Sequence, residues 1–85
     1  MMNRDEMREK ILGLLQTHFE MKHIDQLEDS MRLNADLRID SIMLVQLIVY
    51  IEMELHIEMP EDEMDPRVFS TVGSLLDFLE ALQPA

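Results

Sequence analysis

Apolar side chains recur at helical spacing in three stretches of this chain of 85 residues. In the first stretch, from about Asp5 to Phe19, they return every three or four positions, which is the spacing of one face of an amphipathic helix. The pattern therefore predicts a first helix that packs inward through Met7, Ile11, Leu12, Leu14, Leu15 and His18/Phe19.

The second and third stretches predict two further helices. From Ser41 onward the core stripe consists of Leu44, Leu47, Ile48, Ile51 and Leu55. Near the end, Ser70 or Thr71 can cap a last helix that stops before Pro84. Its apolar positions are Val72, Leu75, Leu76, Phe78, Leu79 and Leu82.

Two connecting segments lack this periodicity. Residues 23–34 are mostly polar and predict a long ordered loop that Leu27, Met31 and Leu33 attach to the core. Pro60 ends the second helical stretch, and residues 61–65 form an acidic loop. Asp65 followed by Pro66 fits an N-cap and a first helical residue, which predicts a short helix over residues 66–69. The predicted fold is an all-α four-helix bundle with a long first loop and a short third helix, one domain over residues 1–85.

The second helix is apolar on nearly all sides. Between Ser41 and Met53 the remaining polar side chains are Gln46, Tyr50 and Glu52. A domain of this size cannot bury every side of one helix, so the face opposite the core stripe is predicted to contact partner proteins. Alternatively, this face packs under the long first loop. It carries Ile42, Val45, Val49 and Met53, and Gln46 and Glu52 complete the predicted docking set.

Composition and charge exclude several functions. The chain has no cysteine, so it offers neither a disulfide nor a thiol nucleophile. Its net charge of −11 opposes nucleic-acid binding, and residues 40–85 alone carry −9, which favours partners with basic patches or simply aids solubility. The charged start resembles no signal peptide and no apolar run spans a membrane, which favours a cytoplasmic protein.

Ser41 has two possible roles at the start of the second helix. Its hydroxyl can cap a free backbone amide, which contributes roughly 1 kcal/mol. If Asp40 is the N-cap instead, the hydroxyl is free, and a phosphate attached there would lie at the positive end of the helix dipole.

Other candidate chemistry is weak. The acidic segment 61–65 lacks the turn glycine and the spacing of a calcium loop. His18, His23 and His56 share no ligand spacing, so no metal site is predicted. No Gly-x-Ser-x-Gly elbow surrounds Ser41, and the chain is too small for a deep catalytic cavity, so no catalytic residue is assigned.

The segment around Ser41 resembles the attachment motif of acyl and peptidyl carrier proteins. In that family Asp-Leu-Gly-x-Asp-Ser-Leu leads into the second helix. Here the same register reads Asp36, Leu37, Arg38, Ile39, Asp40, Ser41 and Ile42. The match begins at Leu33, Asn34 and Ala35 and continues through Leu47, Glu52, Glu54, Leu55, Ile57, Met59 and Pro60, and then through Thr71, Val72 and Gly73.

The resemblance implies a specific function. A phosphopantetheinyl transferase would move 4′-phosphopantetheine from coenzyme A onto Ser41, with Asp40 helping to position the transferase's metal. The carrier performs no catalysis itself. The terminal thiol of the arm would hold an acyl or aminoacyl group as a thioester for loading enzymes and for downstream synthases or transferases. This would also account for the lack of cysteine. The resemblance further implies a monomer, and the chain is expected to be a discrete protein rather than part of a synthase.

Two departures from the family pattern point to atypical partners. Arg38 stands at the usual glycine, where it either pairs with the phosphate or remains solvated near Asp36. Met43, Gln46 and Met53 occupy positions that are often acidic in fatty-acid carriers, so docking is expected to be more apolar. This favours a dedicated polyketide or nonribosomal-peptide pathway. The alternatives are a fatty-acid carrier or an acidic helical interaction module without any cofactor.

Overall fold

The computed structural model describes residues 3–58 and 66–82 of the chain. Within them lie three α-helices, which we call α1 (Arg4–His18), α2 (Ser41–Leu55) and α3 (Val72–Leu82). A single 3-10 turn, Pro66–Phe69, precedes α3. The predictions for Met59, Pro60, residues 61–65 and Pro84 lie outside the described residues.

Helix α1 begins with a capping box. The Asn3 side chain accepts the Glu6 N–H at 2.8 Å, and the Glu6 carboxylate accepts the Asn3 N–H. These bonds satisfy two of the amides that every helix start leaves unpaired. The helix buries one stripe, as the apolar spacing predicted: Met7, Ile11, Leu14 and Leu15.

Helices α2 and α3 complete the core. Leu47, Ile51 and Leu55 of α2 are buried, while Leu44 and Ile48 of the predicted stripe pack against the core and stay partly exposed. In α3 the buried residues are Val72, Gly73, Leu75, Leu76 and Leu79. Thr71 caps this helix, because its hydroxyl accepts the Ser74 N–H at 3.1 Å.

The connection between α1 and α2 is long, yet backbone hydrogen bonds hold it against the start of α3. Leu33 N–H donates to Ser70 O at 3.1 Å, and Val72 N–H donates to Met31 O at 2.9 Å. Together they form an isolated antiparallel bridge between Arg32 and Thr71. Leu27 and Leu33 are buried and Met31 is partly buried, so the predicted attachment of this loop to the core is confirmed.

Ionic contacts at the surface join α1, the first loop and α3. The Arg4 guanidinium contacts carboxylates of Asp29 in the loop and of Asp77 and Glu80 in α3, at 2.7–3.0 Å. Arg8 adds a second contact to Asp29. The hydrogen bond from Arg4, opposed by desolvation and aided by Arg8, holds the pKa of Asp29 below its usual value. Because these side chains remain solvated, the contacts orient the elements more than they stabilise them.

The all-α prediction is confirmed for the described residues. The four-helix count is not, since the third predicted helix is a 3-10 turn of 4 residues. The segment is not an α-helix because one short turn cannot offset the nucleation cost of an α-helix. The structure therefore supports three α-helices and one turn around a common core.

Close approach of the loop to α3 gives a testable pair of glycine substitutions. A Cβ at Gly73 would meet Asp29 Cβ at 3.0 Å and Asp29 O at 3.1 Å, whereas a Cβ at Gly13 in α1 would meet nothing within 4 Å. We expect Gly73→Ala to lower the free energy of unfolding by about 1 kcal/mol, because overpacking outweighs helix propensity. Gly13→Ala should raise it by about 0.5–1 kcal/mol.

Urea denaturation monitored by circular dichroism measures both changes. The two variants add the same methyl group to a helical glycine, so they differ only in the space available. An equal gain in stability for both would show that Gly73 is not required by the loop contact.

Candidate functional site

The site is built around the start of α2. Asp40 is the N-cap residue: its backbone is extended, and its side chain accepts the Met43 N–H at 2.8 Å. Ser41 is the first helical residue, its side chain is exposed, and its hydroxyl makes no hydrogen bond with any described residue. Of the two roles open to Ser41, the structure therefore selects the free hydroxyl.

Buried side chains and hydrogen bonds to the first loop hold the segment before α2. Leu37 and Ile39 are buried, and Ile39 N–H donates to Leu33 O at 2.9 Å. The Asp36 carboxylate accepts the Arg32 N–H at 2.7 Å. Residues that the sequence motif placed together thus form a rigid turn that presents Ser41 at a defined position.

Arg38 adopts a left-handed backbone with φ of 57°. Glu20 and His56 share this conformation, but they lie at the ends of α1 and α2, where such residues are common. Arg38 lies in the turn before α2, and this conformation explains why a glycine suits the position. Its side chain is exposed and forms no ion pair with a described residue.

An open groove of about 560 Å³ lies beside Ser41. The loop forms one wall, the start of α2 forms another, and the segment that joins the 3-10 turn to α3 forms the third. The lining residues are Arg32, Leu33, Asn34, Ile39, Asp40, Ser41, Leu44, Phe69, Ser70 and Thr71.

Sequence reasoning missed this groove. Arg32, Asn34 and Phe69 line the same groove as Ser41 because the first loop pairs with the start of α3, and no local pattern in the chain predicts that pairing. The one available signal was Thr71, which was identified as a cap and not as part of the site.

The outer face of α2 is exposed, as predicted. The exposed fractions are 73% for Ile42, 62% for Val45, 48% for Val49 and 66% for Met53. The alternative, in which the first loop covers this face, is therefore wrong. Gln46 is exposed and Glu52 half-buried. Because Val45 lies one helical turn after Ser41, the apolar face begins next to the free hydroxyl.

The three histidines are exposed, and His18 stacks on Tyr50 with ring centroids 4.0 Å apart. Residues 3–58 and 66–82 contain no cluster of His, Asp and Glu that could hold a metal ion. In the same ranges, no helix combines the length and the apolar character needed to cross a membrane.

A small helical domain that presents a free serine at a helix start, next to an open groove and an exposed apolar face, has the properties expected of a carrier. The comparisons agree. Residues 9–79 match the family model of the phosphopantetheine attachment site. The chain is 53% identical over 83 residues to acyl carrier protein AsbD of Bacillus anthracis. The aligned residues are 98% of this chain and 91% of that protein. It is 32% identical over 82 residues to an acyl carrier protein of Lactobacillus acidophilus, and the aligned residues are 96% of this chain and 99% of that protein.

The chain therefore belongs to the phosphopantetheine-binding acyl carrier proteins. Members are non-catalytic: they are substrates of a phosphopantetheinyl transferase and carry 4′-phosphopantetheine covalently. The site fits that group, because it combines an accessible hydroxyl with amides at the positive end of a helix.

The backbone conformation of Arg38 yields a prediction. A side chain in the left-handed region costs about 1–2 kcal/mol, against about 0.5–1 kcal/mol for the extra freedom that glycine has in the unfolded chain. We expect Arg38→Gly to raise the free energy of unfolding by up to about 1 kcal/mol in urea denaturation. Arg38→Ala removes the same charge but keeps the Cβ, so it should give no such gain. Equal gains would assign the effect to charge and not to backbone strain.

Proposed function

We propose that Ser41 is the attachment residue for 4′-phosphopantetheine and that the protein carries acyl intermediates as thioesters in a dedicated biosynthetic pathway. The observation that carries the proposal is the free, exposed Ser41 hydroxyl beside the Asp40 cap. A serine at the N-cap would accept a backbone N–H with its hydroxyl oxygen. Because Asp40 is the N-cap residue here, the Ser41 oxygen remains available as a nucleophile.

The attachment step is a phosphoryl transfer. The Ser41 oxygen forms a new bond to the β-phosphorus of coenzyme A, the pyrophosphate linkage breaks, and adenosine 3′,5′-bisphosphate leaves. The hydroxyl proton passes to a base on the transferase. In this step the chain itself would contribute a turn held by backbone hydrogen bonds, an exposed hydroxyl with no hydrogen bond to a described residue, and the positive end of α2, which stabilises the negative charge of the new phosphodiester.

The arm supplies the thiol that holds the cargo as a thioester. With a cysteine count of 0, the chain has no thiol of its own. The surface around Ser41 has no enclosing cavity, since the groove beside it is open. This arrangement supports a role in presenting cargo to other proteins and not in transforming it.

Partner enzymes are proposed to dock on the outer face of α2. Any enzyme that reaches an arm on Ser41 must also cover Ile42 and Val45, because these side chains lie next to it on the same face. The face is apolar, and burial of such exposed side chains contributes about 25 cal/mol per Å². Gln46 and Glu52 would form its polar edge. The proposed occupants are the phosphopantetheinyl transferase first and the loading and downstream enzymes afterwards.

Apolar docking also bears on the pathway. Gln46 and Met53 are exposed where fatty-acid carriers often have acids, whereas Met43, at a third such position, packs partly buried against the core. The protein is therefore proposed to serve partners of its own, of polyketide or nonribosomal-peptide type, as a cytoplasmic monomer. The names of both relatives favour an acyl cargo over an aminoacyl one. A fatty-acid carrier remains the second candidate, supported by the full-length match to the Lactobacillus acidophilus protein.

Attachment can be tested directly. Apo protein is incubated with coenzyme A, magnesium and a promiscuous phosphopantetheinyl transferase, and its intact mass is measured. We expect wild type to gain the mass of one phosphopantetheinyl group and Ser41→Ala to gain none. Ser30→Ala, which removes an exposed loop serine, is the matched control and should be modified fully. Modification of Ser41→Ala would assign the arm to another residue.

The docking face is tested by charge. We expect Val45→Glu or Val49→Glu to lower kcat/KM for arm attachment about tenfold, since loss of roughly 1.4 kcal/mol of binding free energy has that effect. Thr17→Glu places the same charge on an exposed position of α1 and should leave the rate unchanged. Circular dichroism checks that all variants keep their helicity. Unfolding of the two valine variants, or an equal rate loss in Thr17→Glu, would contradict docking on this face.

A further inference from the structure

Outside the 3-10 turn, the basic side chains of this acidic protein fall into two groups. Arg4, Arg8 and Lys10 form ion pairs with acids of the loop and the helices. Arg32, Arg38 and Lys22 are exposed and, within the described ranges, form no ion pair. Arg32 differs from the other two in position, because it lines the groove beside Ser41, whereas Arg38 and Lys22 are not among the lining residues.

The two acids of the turn before α2, Asp36 and Asp40, form no ion pair with Arg32. The Asp36 carboxylate accepts the Arg32 backbone N–H at 2.7 Å, and the Asp40 carboxylate accepts the Met43 N–H at 2.8 Å. Both carboxylates are thus oriented by backbone amides. Among the described residues, the Arg32 guanidinium therefore has no counter-ion, and it lies on the wall of a groove that also contains the Ser41 hydroxyl.

We propose that Arg32 binds the phosphodiester of the arm and that the groove receives the first part of that arm, an inference that rests on attachment at Ser41. A guanidinium is the side chain best suited to a phosphate, because it offers two parallel N–H donors. The pantoyl unit that follows the phosphate has two methyl groups and a hydroxyl. Leu44 and Phe69 supply apolar contacts for the methyl groups, and Asn34 offers hydrogen bonds to the polar atoms.

The size of the groove limits what it holds. Its volume of about 560 Å³ lies within the range of pockets for small molecules, roughly 300–1,000 Å³. That space suits part of a long flexible arm but not the arm together with a large acyl chain. Arg32 is therefore a positioning residue that anchors the phosphate end, while the thioester end stays accessible to enzymes.

The test compares apo and holo forms of wild type, Arg32→Gln, Arg38→Gln and Lys22→Gln, each made holo with coenzyme A and a transferase. Intact mass first confirms attachment in every variant, so failure of attachment is seen separately from failure of this inference. For each pair the holo-minus-apo difference in Tm is measured at low and high salt. We expect Arg32→Gln to reduce this difference by about 2–4 °C at low salt, the scale of an exposed charge pair in a domain of this size.

High salt should abolish the contrast with wild type, since it screens exposed charges. Lys22→Gln and Arg38→Gln should retain the wild-type difference. Nuclear Overhauser contacts between the pantoyl methyl groups and Leu44 or Phe69 should be present in the wild-type holo form and weaker in Arg32→Gln. An unchanged Tm difference in Arg32→Gln, or an equal reduction in either of the other variants, would overturn the inference.

Discussion

Backbone pairing between the first loop and the start of α3 is the constraint on which the rest of the molecule depends. A loop of this length loses considerable conformational entropy when it is ordered, at about 1–2 kcal/mol per residue. The bridge between Arg32 and Thr71, with the bonds from Leu33 to Ser70 and from Val72 to Met31, offsets part of that cost. Without this pairing, the loop and the segment before α3, which form two of the three walls of the groove beside Ser41, would have no fixed position relative to each other.

The same pairing explains why a short polar motif can position a reactive hydroxyl. Leu33 is held by Ser70, Ile39 bonds to Leu33, and Asp40 then caps α2. Through this series of contacts, the position of the start of α2 depends on the position of α3. The ion pairs of Arg4 join α1 to this arrangement at the surface, and their modest strength suits an orienting role.

Much of the fold could be predicted from the sequence because local periodicity determines it. The stripes of α1, α2 and α3 were read from apolar spacing, and the Asp40 cap with a free Ser41 was one of two options that the residues allowed. The groove could not be predicted, since Arg32 and Phe69 come to line it together with Ser41 only through tertiary pairing. The short third helix has its predicted bounds but is a 3-10 turn, a difference of helix type that residue types alone do not determine.

The distribution of charge and apolar surface completes the physical picture. An exposed apolar face of four large side chains on α2 promotes association, and proteins that keep such a face need another source of solubility. The net charge of −11 provides it, because like-charged molecules repel one another before their apolar faces meet. Since the charge lies mostly outside that face, it opposes self-association and leaves the proposed docking face uncharged. A carrier that must visit several enzymes in turn needs this combination, in which contacts are available yet none of them is permanent.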